Sequence, residues 1–153
     1  MRKIASFTVN HDKLKPGVYI SRKDGDAITY DLRMKVPNSG DYISPKSHHT
    51  IEHLLATYVR NSNYSDEVIY AGPMGCRTGF YLIMRDSVPA DELIKLLKAA
   101  FEFIADFSGE IPGSKREECG NYLEHDLDAA KSEARNYCKI LENVTSDSMS
   151  YDE

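Results

Sequence analysis

The amino-acid sequence predicts an α+β fold, a single-domain sandwich in which amphipathic helices pack against an antiparallel β-sheet. One observation is a series of short apolar or alternating runs bounded by turn residues, with Asp24-Gly25 as a strong hairpin signal. Another is the presence of three longer segments whose apolar residues recur at helical spacing. Because each such helix must cover its apolar face, hairpins and helices together favour two packed layers. The 153 residues suffice for one domain, residues 1–153.

The strands are predicted mostly in the first half of the chain, where β-branched and aromatic residues are grouped in short runs. Pro16-Gly17 and the segment 37–40 interrupt the pattern with turn residues. The predicted strands are residues 6–9, 18–20, 27–34, 67–70 and 79–84.

Three helices are predicted from apolar periodicity and terminal signals. The first runs from about Ser47, as a plausible N-cap, to Arg60. The second begins near Pro89, which is followed by two acidic residues, and ends before Gly109. The third covers roughly Leu123 to Leu141.

Composition excludes several classes of protein. Apolar residues make up 41% of the chain, enough for a core, and the net charge of −5 gives no basic surface for nucleic acid. No apolar run approaches the roughly 20 residues of a membrane helix, and the first residues lack the apolar block of a signal peptide. Three scattered cysteines point to a reducing compartment, so we expect a cytoplasmic protein. The polar residues 145–153 are expected to form a flexible tail.

The segment His49-Thr50-Ile51-Glu52-His53 is the sharpest functional signal. Residues four apart lie on one face of a helix, so both imidazoles can reach one metal ion. On a helical wheel, His49, Glu52 and His53 lie opposite the apolar stripe that contains Ile51. The pattern therefore favours a metal site over two structural histidines.

Two histidines leave a metal without enough ligands, and Cys119 is a candidate third ligand in the small-residue loop 118–121. A His₂Cys set with an open position is typical of catalytic rather than structural metal sites. From the loop alone, an ordinary half-buried thiol is an equally good interpretation. His125-Asp126 can orient this loop, but a solvated polar pair fits the sequence equally well.

Cys76 lies in a glycine-rich loop beside Arg77, and a neighbouring cation makes a thiolate more available. Free cysteines are more often inert, but the position of Cys76 between two strands favours a functional thiol. Cys138, inside the third predicted helix, is interpreted as structural.

Together these residues and their surroundings resemble the S-ribosylhomocysteine lyases, the LuxS family of autoinducer-2 synthesis. The resemblance covers nearly the whole chain, and the combination and order of its motifs make it specific. It is carried by Ser6-Phe7, His11, Asp31-Leu32-Arg33, Pro37-Asn38, segments 49–56 and 72–81, Cys119-Gly120-Asn121 and His125-Asp126-Leu127.

The resemblance implies that His49, His53 and Cys119 bind one divalent metal per subunit, ferrous iron in cells with zinc or cobalt also accepted. It implies that Glu52 and Cys76 act as acid and base. The implied reaction moves the ribose carbonyl from C1 to C3 and then expels homocysteine by β-elimination. The other product is 4,5-dihydroxy-2,3-pentanedione, the autoinducer-2 precursor.

The resemblance further implies that Ser6, His11 and Arg33 contact the substrate across a homodimer interface. The metal-binding helix face fits this, because it points away from the core of its own subunit. Tyr70 is a departure, since an acidic residue commonly stands six positions before the cysteine in this family. The departure affects one contact to a sugar hydroxyl rather than the chemistry.

Two other interpretations of the helix motif stay open at this point. An inverted-zincin peptidase uses the same HxxEH spacing, with a later acidic residue such as Glu124, Asp128 or Glu133 as third ligand. A non-catalytic metal-binding module would use the ligands alone and have no need for Glu52 or Cys76.

Overall fold

Four antiparallel strands and three helices form two layers in the computed structural model, which describes residues 1–151. The strands are β1 (Gly17–Asp24), β2 (Ala27–Arg33), β3 (Val68–Pro73) and β4 (Gly79–Arg85), and their spatial order is β1-β2-β4-β3. The α+β class with an antiparallel sheet is therefore confirmed.

The sheet consists of two hairpins, β1–β2 and β3–β4, which are joined by the pairing of β2 with β4. Gly25 adopts a φ of 60° in the β1–β2 turn, as the Asp24-Gly25 signal predicts. The central β2–β4 pair is formed by strands that are far apart in sequence, with Leu32 opposite Phe80. At Gly79 a Cβ atom would overlap the Leu32 carbonyl oxygen, so the close approach of β4 to β2 requires glycine at this position.

The helices are α1 (Pro45–Arg60), α2 (Ala90–Asp106) and α3 (Leu127–Leu141). Helix α1 begins earlier than the sequence predicts, because Ser44 is the N-cap and accepts a hydrogen bond from the Ser47 amide. Helix α3 begins later than predicted, after the N-cap Asp126, whose side chain accepts from the Ala129 amide. In both cases the cap is the residue whose oxygen reaches the first free amides, a choice that depends on local backbone geometry.

The core lies between the helices and one face of the sheet. Helix α2 is its most buried helix, and α1 and α3 each contribute one face. Fully buried members of this core include Leu32, Ile51, Leu54, Phe80, Leu82, Leu97, Phe101, Ile104, Tyr137 and Leu141.

The first residues of the chain differ from the sequence prediction. Residues 6–9 form no strand, and a short 3₁₀ helix covers Ala5–Phe7 instead. Of the predicted tail, residues 152–153 lie outside the described residues. Within the part that is described, Met149 is buried and its carbonyl oxygen accepts from the Ile20 amide. Tyr151 stacks on Tyr19 on the outer face of the sheet. Across residues 1–151, no helix combines the length and apolar character that crossing a membrane requires.

Candidate metal centre and active site

Helix α1 presents its polar face to a long loop that connects α2 to α3. Ile51 and Leu54 are fully buried on the core side, whereas His49, Glu52 and His53 are half-buried on the opposite side. This is the arrangement that the helical wheel predicts, because side chains three and four residues apart lie on one face.

Main-chain carbonyl groups of the loop hold both imidazole rings. The Nδ1–H group of His49 donates to the carbonyl oxygen of Glu124 at 2.7 Å. The Nδ1–H group of His53 donates to the carbonyl oxygen of Pro112 at 2.8 Å. Because a carbonyl oxygen can only accept, each ring carries its proton on Nδ1 and keeps the Nε2 lone pair for a metal.

Cys119 brings its sulfur to these two lone pairs. Its Sγ atom lies 3.5 Å from Nε2 of His49 and 4.0 Å from Nε2 of His53. Gly113, which adopts a φ of 69° beside the His53 ring, allows the loop to pass close, since a Cβ would come within 3.1 Å of Nδ1. Two nitrogen donors and one sulfur donor therefore converge in a set that suits a divalent transition metal.

His125 is the fourth member of this cluster, and the sequence alone did not single it out as one. The ligand atoms of His49, His53, Cys119 and His125 all lie within 4.8 Å of one another. The His125 ring stacks on that of His49, with 4.0 Å between centroids, and its buried Nε2 has no hydrogen-bond partner among residues 1–151. Burial and the nearby His49 and His53 lower the pKa of His125 to about 4, so the ring is neutral at pH 7.

The Thr50 hydroxyl determines which nitrogen of His125 carries the proton. This hydroxyl donates to the Lys46 carbonyl at 3.1 Å and accepts from the Asp126 amide at 3.0 Å. Its remaining lone pair, 3.0 Å from Nδ1 of His125, accepts the ring N–H. His125 thus has the same tautomer as the other two histidines, with the Nε2 lone pair facing the cluster.

Glu52 faces a cleft of about 290 Å³ between α1 and the β3–β4 loop. Gly75 and Arg77, on either side of Cys76, line the opposite wall of this cleft, and His49 and Glu124 complete it on the metal side. A hydrogen bond links α1 to the strand that follows the β3–β4 loop, because the Nε2–H group of His48 donates to the Gly79 carbonyl at 2.9 Å. The structure therefore places Glu52 and the Cys76 loop around one cleft beside the metal cluster.

The Cys76 side chain is exposed, and its Sγ lies 3.1 Å from the Thr78 hydroxyl oxygen. Arg33 donates to that same oxygen at 2.8 Å and is paired with Asp31 at 2.7 Å. Burial lowers the pKa of Arg33, but the hydrogen bond and charge of Asp31 raise it above its usual value overall. A permanent positive charge therefore lies under the Cys76 loop of the same subunit.

Ser6, His11 and Tyr70 lie away from the metal cluster. Ser6 lines a cavity on the outer face of the sheet together with Tyr70, which is 53% exposed. The Nδ1–H group of His11 donates to the Val9 carbonyl at 2.9 Å. Within residues 1–151, neither Ser6 nor His11 makes a hydrogen bond to the metal cluster or to Cys76.

Comparison with known proteins agrees with this geometry. Residues 4–148 match the family model described as S-ribosylhomocysteinase (LuxS). The chain is 47% identical over 158 residues to the S-ribosylhomocysteine lyase of Clostridium acetobutylicum, with all of both chains covered. It is 46% identical to those of Phocaeicola vulgatus (99% of this chain and 98% of that one) and Borreliella afzelii (99% of each). The chain therefore belongs to the S-ribosylhomocysteinase (LuxS) family.

Proposed function

We propose that this protein is a metal-dependent S-ribosylhomocysteine lyase, which cleaves S-ribosylhomocysteine to homocysteine and 4,5-dihydroxy-2,3-pentanedione, the autoinducer-2 precursor. The convergence of His49, His53 and Cys119 beside the cleft that contains Glu52 carries the proposal, in a chain that matches this family over residues 4–148. We assign residues 1–153 to one catalytic domain.

The metal ligands in this proposal are His49, His53 and Cys119, with one divalent ion per subunit. The two Nε2 lone pairs and the cysteine sulfur support this assignment, because all three point to one place. We infer ferrous iron in cells, with zinc or cobalt as substitutes, since N₂S donor sets accept all three. When bound, the ion supplies Lewis-acid polarisation of the sugar carbonyl.

The protein side chains supply the proton transfers. Moving a carbonyl from C1 to C2 and then to C3 takes a proton from one carbon and returns one to its neighbour at each stage. Glu52 and Cys76 are the groups proposed to do this, because a carboxylate and a thiolate each accept and return protons near neutral pH. With the carbonyl at C3, removal of the C4 proton expels the homocysteine sulfur from C5.

We also propose a cytoplasmic homodimer in which Ser6, His11 and Arg33 contact the substrate. The N-terminal segment supports this proposal, because Ile4 and Phe7 are large apolar residues that stay exposed in the single chain. Size measurement in solution tests it, and we expect a species near twice 17.3 kDa. A fully active monomer would contradict the shared site.

The peptidase alternative is not favoured by the contacts of its candidate acidic ligands. The Glu133 carboxylate is paired with Lys35 at 2.8 Å, and the Glu124 carboxylate accepts from the side-chain amide (Nδ2) of Asn121 at 2.7 Å. The alternative also gives no role to Cys119, and the cluster found within residues 1–151 consists of three histidines and this cysteine, with no carboxylate among its members.

The decisive experiment is anaerobic incubation of the metal-loaded protein with S-ribosylhomocysteine, followed by detection of released homocysteine with a thiol reagent. We expect a homocysteine signal that grows with time and disappears when a chelator removes the metal. Failure of the loaded protein to release homocysteine would overturn the proposed function. Release that persists unchanged in the chelated protein would overturn its metal dependence.

A further inference from the structure

The Thr78 hydroxyl lies between a buried positive charge and the Cys76 sulfur. Its oxygen is 2.8 Å from a terminal nitrogen of Arg33 and 3.1 Å from Sγ of Cys76. Thr78 is 2% exposed and Arg33 is 3% exposed, whereas the cysteine side chain lies at the surface. A buried polar group thus supports an exposed thiol from below.

The donors and acceptors at this hydroxyl can be assigned. A guanidinium group only donates, so Arg33 occupies one lone pair of the Thr78 oxygen. The Thr78 hydroxyl still has one proton to donate, and this proton needs an acceptor. Among residues 1–151, the Cys76 sulfur is the one further hydrogen-bond partner that this hydroxyl has. This arrangement leaves the Cys76 sulfur to accept the Thr78 hydroxyl proton, and a donor directed at sulfur stabilises negative charge there.

The support behind Thr78 is rigid. Asp31 is fully buried, and its Oδ2 atom accepts from both Arg33 at 2.7 Å and the Tyr151 hydroxyl at 2.8 Å. A chain of hydrogen bonds therefore runs from Tyr151 through Asp31, Arg33 and Thr78 to the sulfur of Cys76.

The loop backbone is held as well. The Met74 amide donates to the Gly79 carbonyl, and the Arg77 amide donates to the Met74 carbonyl, each at 3.0 Å. Arg77 adopts a φ of 59°, a conformation that non-glycine residues rarely take. The turn thus presents Cys76 directly above Thr78.

We propose that Thr78 is the positioning residue of Cys76: its hydroxyl, fixed by Arg33, donates a hydrogen bond that orients the sulfur and stabilises negative charge on it. This inference rests on the proposed catalytic role of Cys76. The charged and titratable groups around the sulfur are Arg33 and Asp31 from β2, Tyr81 from β4 and Arg77 in its own loop. The Thr78 hydroxyl transmits the effect of Arg33 because it touches both Arg33 and the sulfur.

The test is the pH profile of Cys76 alkylation in the substrate-free holoenzyme. Iodoacetamide is the probe, and the peptide that carries Cys76 is followed by mass spectrometry. Thr78→Val removes the hydroxyl at nearly constant volume, and we expect alkylation at pH 7 to slow about tenfold, because a hydrogen bond to a charged group is lost. The profile moves to higher pH by about one unit and meets that of the parent protein at alkaline pH. Thr78→Ser, which keeps the hydroxyl, follows the parent profile.

The controls separate this inference from a general loss of structure and from the proposed function. Alkylation of Cys138 in the same samples and the bound metal stay at parent levels, since neither site touches Thr78. An unchanged profile in Thr78→Val, or a rate lowered equally at every pH, overturns the inference. If Thr78→Val does not fold, the pH profile of Thr78→Ala is measured instead. Alanine lacks the γ-methyl group that valine places against Arg33. Because the alkylation assay contains no substrate, its outcome does not depend on lyase activity. Failure of this inference and failure of the proposed function are therefore distinguishable.

Discussion

The metal half and the cysteine half of the cleft are held by different kinds of contact. In the metal half, main-chain carbonyls of Glu124 and Pro112 fix the rings of His49 and His53. In the cysteine half, the contacts come from side chains: the buried Asp31–Arg33 ion pair supports the loop through a hydrogen bond to Thr78. Main-chain acceptors survive any substitution at their own position, whereas side-chain supports do not. The metal half should therefore be sensitive to its ligands, and the cysteine half also to residues behind it.

The largest expected effect is that of Cys119→Ala. Two imidazoles hold a divalent ion weakly, so this variant should lose both bound metal and turnover to background. Metal content by elemental analysis and homocysteine release are the measurements. Cys138→Ala, which removes a thiol in α3 far from the cluster, is the matched control and should keep both. Full metal occupancy in Cys119→Ala would remove this residue from the metal site.

Glu52→Gln should retain the metal and lose turnover by about 10²–10⁴-fold, because glutamine keeps the volume but accepts no proton at neutral pH. The loss can exceed this range if Glu52 serves several successive proton transfers. Since Cys76 is intact, early carbonyl migration should continue and a ketone should accumulate, visible by carbon NMR of labelled substrate. Homocysteine release at the parent rate would assign the base to another residue.

Cys76→Ala should also keep its metal and its fold while losing turnover, by a similar factor of about 10²–10⁴. The sulfur is exposed and, within residues 1–151, makes no hydrogen bond to the metal ligands, so its removal should leave the metal half intact. Metal content, thermal unfolding and turnover measured on one preparation separate these effects. Loss of metal along with turnover would show that the two halves are less independent than their contacts indicate.

His125→Ala should have an intermediate effect, lowering metal affinity by about 10- to 100-fold. The variant removes the ring that stacks on His49 and the lone pair that faces the cluster. Competition with a chromogenic chelator measures the affinity. His11→Ala provides a histidine control outside the cluster and should bind metal as the parent does. Unchanged metal affinity in His125→Ala would show that the His125 ring does not contribute to metal binding.

The smallest expected effect is that of Tyr151→Phe, which deletes one hydrogen bond to Asp31 at the outer end of the support behind Cys76. We expect a loss of about 1 kcal/mol in the free energy of unfolding, or a Tm lower by about 3 °C. Calorimetry measures this, with Tyr122→Phe at an exposed loop position as control. Equal Tm values for the two variants would show that the C-terminal segment adds no support.

The sequence by itself determined the features that depend on neighbours along the chain. The spacing of His49, Glu52 and His53 places them on one helix face because an α-helix has 3.6 residues per turn. The β1–β2 hairpin follows from Asp24-Gly25, since glycine readily takes a positive φ. Helix ends were less accurate, as Ser44 rather than Ser47 caps α1. Several serines compete there, and the backbone entry angle selects one.

Only the tertiary structure decided which distant groups meet. His125 stacks on His49 across 76 positions of sequence, beside the hydrogen bonds from His49 to the Glu124 carbonyl and from His125 to the Thr50 hydroxyl, and no periodic pattern encodes such a meeting. The same holds for Thr78, which reaches Arg33 across 45 positions, and for Tyr151, which reaches Asp31 across 120. Local propensity acts over a turn or two of chain. These contacts form because folding buries polar groups that must find partners, and the packing of sheet and helices determines which partners lie within reach.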